Sequence, residues 1–266
     1  MNNLTRTSRD AIKASHSADK LLLLKMDNAS VIMNKHTFSP YDQDLNQLRQ
    51  RVLLMGQNVC QQTRDAMLGF AEGNRDLIEQ VILRDKLVNR EEIDLDEMCV
   101  QIIVRHAPAA SDLRMLTSTM QMITDLERVG DEAKKIAKAA RQMQGADPAT
   151  VPEIKLFKIA EHVVQMLEQA LDAYVRWDVT AAPAIAREDK DVDSIIKAAV
   201  VDLSESMQRS SATVVHGINM LQIARSIERV GDHATNIAKY VVFMSRGEDV
   251  RHRSIKHIER AIRPED

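Results

Sequence analysis

From Leu45 onward the apolar residues return at steps of three and four. Leu45, Leu48, Val52, Met55 and Val59 share one face at 3.6 residues per turn, and they predict a first helix from the Ser39-Pro40 start signal to about Gly73. Ile78, Val81, Val88, Met98 and Ile102 predict a second over about 75–105. It is stopped by Pro108, which has no amide hydrogen to continue the ladder. A third follows on Leu113, Leu116, Met120 and Ile123, with Ser111 or Asp112 placed to cap it, and runs to about Met143. Gly145, Pro148 and Pro152 then break the period and mark a linker over 145–153. After it the pattern restarts: Leu156, Ala160, Val163, Leu167, Ala170 and Tyr174 make a fourth helix, 185–207 a fifth and 211–246 a sixth. Residues 1–38 are polar and aperiodic, which predicts a flexible extension, and the tail from Gly247 mixes both charges without forming a patch.

The second set of three helices repeats the first. Leu126-Glu127-Arg128-Val129-Gly130-Asp131 is matched 101 residues later by Ile227-Glu228-Arg229-Val230-Gly231-Asp232, and each string is followed by a segment ending Ile-Ala-Lys. A repeat of that length is one bundle-sized unit. The expected fold is therefore all-α: two tandem three-helix bundles, over 39–144 and 154–246, related by a pseudo-twofold axis.

Composition narrows this further. With 44% hydrophobic residues the chain can build a core, while eight aromatics in 266 residues are poor material for sheets. A net charge of -3 supplies no field to hold nucleic acid. Cys60 and Cys99 have no metal-type spacing and read as small buried residues of a reducing compartment. The apolar run Leu21 to Leu24 is far short of the ~20 residues of a membrane span, so a cytoplasmic protein is expected.

The candidate chemistry lies in acids that interrupt the apolar seams. Glu127 continues the heptad of Leu113 and Met120, and Glu228 that of Val214 and Leu221; Asp131 and Asp232 stand one turn further on. Asp189 and Asp193 occupy a similar place on the fifth helix. Asp85 does so on the second, where the residue four positions on is Asn89 rather than an acid. If the second and third helices of each bundle face each other, one half offers Asp85, Asn89, Glu127 and Asp131, and the other offers Asp189, Asp193, Glu228 and Asp232. The two half-sites are unequal. Like charges in such company need a cation, and oxygen ligands suit Mg, Mn or Ca while tolerating Fe or Zn. Arg128 and Arg229 are the basic residues placed to compete. Gly130 and Gly231 weaken their helices, which is explained by close helix approach or by room beside the acids.

Two other readings compete with a metal-binding protein that carries out no reaction. A carboxylate-bridged metal enzyme of the ferritin-like kind would carry Glu-x-x-His, and none of the eight histidines has Glu three positions before it. No phosphate-cradling loop or nucleophile motif is present either, so no catalytic residue is assigned. A metal-free adaptor would instead pair its acids with Arg and Lys. His233, directly after Asp232, points about 100° away from it and reads as a capping or core-edge residue.

Over roughly residues 36 to 252 the chain resembles the PhoU family. The likeness is carried by Pro108-Ala109-Ala110-Ser111-Asp112-Leu113-Arg114 and by the two Glu-Arg-Val-Gly-Asp strings, the second followed by His233. The resemblance implies two three-helix bundles, frequent homodimers, and metal-binding E(D)xxxD motifs falling on Asp85, Glu127, Asp131, Asp189, Asp193, Glu228 and Asp232. It also implies negative control of phosphate-starvation signalling, through the ATPase subunit of the phosphate transporter and a phosphate-sensing histidine kinase. Those partners would bring the protein to the inner membrane from the cytoplasmic side.

Overall fold

The computed structural model describes residues 39–147, 150–152 and 154–263. The expected extension over 1–38 and part of the linker lie outside the described residues. Among those residues there are seven α-helices and no strand: α1 Pro40–Glu72, α2 Arg75–His106, α3 Ala110–Gln142, α4 Leu156–Arg176, α5 Ala181–Arg209, α6 Val214–Arg246 and α7 Ile255–Ala261.

The chain falls into two units, Met1–Gln43 and Asp44–Asp266. Within the first, Ser39 opens α1 with a reciprocal cap. Its Oγ accepts from the Asp42 amide at 3.2 Å and its amide donates to Asp42 Oδ2 at 3.3 Å, while Pro40 takes the first helical position, where no N–H is needed.

In the second unit the remainder of α1 with α2 and α3 makes one three-helix bundle, and α4–α6 make the other. Asn74 caps α2 by accepting from the Leu77 amide at 3.1 Å. Ala107, in the left-handed region at φ 44°, ends α2 just ahead of Pro108. Gly247, at φ 73°, ends α6, using a conformation that glycine adopts at no steric cost. Helix α3 packs on α2, and α6 packs on α4 and α5. The third helices α3 and α6 pack on each other and join the bundles. Helix α1 meets α4, where Leu171 of α4 lies over Gly56.

The core follows the periodic residues. Leu48, Val52, Val59, Ile78, Val81, Leu116 and Ile123 are fully buried in the first bundle, and Val163, Leu167, Ala170, Ile185, Ile223 and Ile227 in the second. Cys60 and Cys99 are both buried.

Three local expectations need correction. Helix α3 begins at Ala110 after an extended Ala109 with no side-chain cap, so Ser111 and Asp112 lie inside its first turn, where Asp112 favours the helix N-terminus through its charge. Helix α5 begins at Ala181, four residues before the predicted start, because Pro183 is tolerated in a first turn. Residues 211–213 form a 3-10 turn rather than the start of α6.

Candidate metal centre

In the second bundle, buried Ile185, Val192 and Ile196 fix the rotation of α5, leaving Asp189 and Asp193 half-buried at the edge of that face. Asp232 reaches toward them from α6. One carboxylate oxygen from each of Asp189, Asp193 and Asp232 lies within 4.8 Å of the others. Gly231 makes the room: a Cβ there would stand 3.0 Å from Asp189 Oδ1. That oxygen is buried without a hydrogen-bond partner. Burial, followed by the charges of Asp232 and Asp193, pushes the Asp189 carboxyl up to about 6, and burial with Asp193 and Glu228 raises that of Asp232. Lys239 acts on Asp189 and Asp232 only through space, and burial lowers its own pKa. Glu228 is half-buried but drawn aside, its Oε2 accepting from Arg225 Nη1 at 2.6 Å.

The first bundle arranges the corresponding residues differently. Asp85 on α2 is 3% exposed, and its Oδ2 accepts from Lys134 Nζ at 2.6 Å. The same ammonium reaches Asp131 Oδ1 at 3.3 Å. The Asn89 Oδ1 is buried with no partner. Glu127 is half-buried, and its carboxyl is pushed up by burial and then by Asp131, Glu92 and Asp85. Gly130 provides close approach here: a Cβ would stand 3.1 Å from Val88 of α2.

Three participants were not singled out from the sequence. Glu92 and Asp96 stand one heptad beyond Asp85 and Asn89, and burial raises both of their carboxyls. The heptad spacing that exposed Glu127 was sufficient to find them. The third is Lys134, whose counterpart 101 residues on is Thr235. The expected competitors also need correction. Arg229 Nη1 donates to Glu132 Oε1 at 3.2 Å across the two bundles, and Arg128 acts on Glu92 only through space. The cations that reach motif acids are Lys134 and Arg225.

Between α3 and α6 lies an open cavity of about 550 Å3. Asp131 and Asp232 both line it, as do their neighbours Arg128 and Arg229, so each acid pair borders the same solvent space. Between the same two helices Asp125, 2% exposed, faces His233 Nδ1 at 2.7 Å and accepts from the Tyr240 hydroxyl at 2.7 Å. With Asp125 as a carboxylate, which only accepts, Nδ1 carries the proton.

Paired three-helix bundles, each with acids on its second and third helices, define a duplicated helical protein with acidic residues at equivalent places. The PhoU domain family model matches residues 52–140 and again 156–241. A phosphate-specific transport system accessory protein PhoU homolog of Pseudomonas putida is 36% identical over 85% of this chain and 88% of its own length. The PhoU accessory protein of Escherichia coli K12 is 38% identical over 84% of this chain and 92% of its own. The crystal structure of PhoU from Pseudomonas aeruginosa superposes with a TM-score of 0.75 at 36% identity, covering 78% of this chain and all of that one. The chain belongs to the PhoU family.

Proposed function

We propose that this chain is a metal-binding regulator of phosphate uptake. In this reading it acts in the cytoplasm as a homodimer, contacts the ATPase subunit of a phosphate transporter, and restrains phosphate-starvation signalling through a sensor histidine kinase. The observation that carries the reading is the near-full-length likeness to relatives named as accessory proteins of phosphate-specific transport. No helix among the described residues is long and apolar enough to cross a membrane. Contact with a transporter would then be made by the helical surface.

The second acid cluster supports the metal part of the proposal. Three carboxylates are hard oxygen donors, Lys239 acts on two of them only through space, and the orphaned Asp189 Oδ1 lacks the partner a buried oxygen requires. Asp189, Asp193 and Asp232 would hold an ion such as Mg, Mn or Fe, with Glu228 one turn away able to leave Arg225. A bound ion there supplies positive charge, and the chain's own contribution is to hold α5 and α6 at the spacing that charge stabilises. None of these residues is asked to carry out a reaction.

Deleting the gene should derepress phosphate-scavenging enzymes in phosphate-rich medium. The wild-type gene should restore repression, and the Asp189→Asn/Asp232→Asn variant should fail to do so. Normal repression in the deletion strain would remove the regulatory reading. Recovery of a transporter ATPase or a histidine kinase with tagged protein from phosphate-replete cells would locate the partners.

A further inference from the structure

We infer that Lys134 is a built-in cation that takes the place of a metal ion in the first bundle, so that only the second half of the repeat is open to metal. The inference deepens the metal reading proposed above and rests on treating the acid clusters as cation sites.

A carboxylate as buried as Asp85 needs a compensating charge. Lys134 supplies it at one oxygen, with Nζ 2.6 Å from Asp85 Oδ2 and 3.3 Å from Asp131 Oδ1, bridging α2 and α3, while Asp85 Oδ1 has no hydrogen-bond partner. The corresponding residue of α6, Thr235, carries no charge, so it cannot neutralise Asp189, which its hydroxyl adjoins. The other substitution between the halves works in the same direction, since Asn89 stands where the second half has Asp193. At four corresponding positions the first half therefore reads Asp85, Asn89, Asp131 and Lys134, and the second reads Asp189, Asp193, Asp232 and Thr235. The formal charge is lower by two in magnitude in the first. A metal ion entering it would meet an ammonium already seated between the two aspartates that should ligate it. Among the described residues, three carboxylates converge only at Asp189, Asp193 and Asp232.

The test is metal content of the full chain, stripped with chelator and then dialysed against Mn2+. Wild type and Asp85→Asn/Asp131→Asn should hold the same amount. Lys134→Thr should gain a further equivalent, both in wild type and in Asp189→Asn/Asp232→Asn, while Lys134→Arg, which keeps the charge, should gain none. Loss of metal from Asp85→Asn/Asp131→Asn overturns the inference, as does absence of any gain in Lys134→Thr, or a gain in Lys134→Arg equal to it. If Asp189→Asn/Asp232→Asn retains all the metal of wild type, the proposed second-half site fails. Lys134→Thr in that background then judges Lys134 independently. Thermal unfolding covers the chance that the variant folds poorly: Lys134→Thr should melt below wild type in chelator and recover with Mn2+, and a deficit that Mn2+ leaves untouched overturns the inference.

Discussion

Asp189 is held where burial, Asp232 and Asp193 all oppose its ionisation, and its carboxyl sits at about 6. In an unfolded chain an aspartate titrates near ~3.9. The folded chain therefore keeps this proton to higher pH than the unfolded one, so the group favours folding below the unfolded value and withdraws stability as pH rises from ~4 through ~6. In chelator, the melting temperature of Asp189→Asn should gain on that of wild type across this window. A constant difference between the two would show that the acid is not strained. Ligation needs the carboxylate, so Mn2+ affinity should rise over the same interval, with proton release measurable by calorimetry in buffers of different ionisation enthalpy. Gly231 controls the same oxygen. Gly231→Ala places a methyl at 3.0 Å from Asp189 Oδ1, and it should weaken Mn2+ binding by about tenfold or more while leaving helicity intact, as read by dialysis and circular dichroism.

At the scale of helices, most boundaries were legible because apolar period, proline and glycine are local signals. Helix α2 ends at His106, just before Pro108, and α6 ends at Arg246, just before Gly247. The start of α5 was missed because Thr180 offers no side-chain cap to advertise it, and Asp178 instead accepts from the Thr180 amide at 2.9 Å. The heptad through Leu113, Met120 and Glu127 proved to be a margin of the core, with Leu113 41% exposed. A helix packed on several neighbours buries a broader face than one heptad ridge, so the centre runs through Leu116, Ile123, Leu126 and Val129. The small residues between elements were not legible as contacts. Gly56 of α1 leaves room for Leu171 of α4, whose methyl carbons would lie 2.6 and 2.7 Å from an added Cβ. Gly56→Val should therefore cost about 3 kcal/mol by overpacking, seen as a lower denaturant midpoint with an unchanged slope. A midpoint equal to that of wild type would mean that Leu171 yields freely.

At the scale of the molecule, the two bundles are joined by polar as well as apolar contacts. Asp125 of α3 binds His233 and Tyr240 of α6, and Arg229 of α6 reaches Glu132 of α3. Asp125→Ala leaves two half-buried groups of α6 without their acceptor and should destabilise the chain by roughly 2–4 kcal/mol, whereas Tyr240→Phe removes one hydrogen bond and should cost about 1 kcal/mol, both measured by chemical denaturation. Equal effects would show that His233 contributes nothing. The sequence by itself determined the helices, the 101-residue repeat and the positions of the acids on their faces. Helical hydrogen bonds and side-chain period are properties of neighbours in the chain. Only the tertiary structure decided that Asp189, Asp193 and Asp232 converge while Asp85 and Asp131 share the ammonium of Lys134. Those outcomes depend on ångström distances between different helices, where charge interactions change steeply with separation and burial, and a long lysine side chain can be seated in one bundle although the repeat gives threonine in the other.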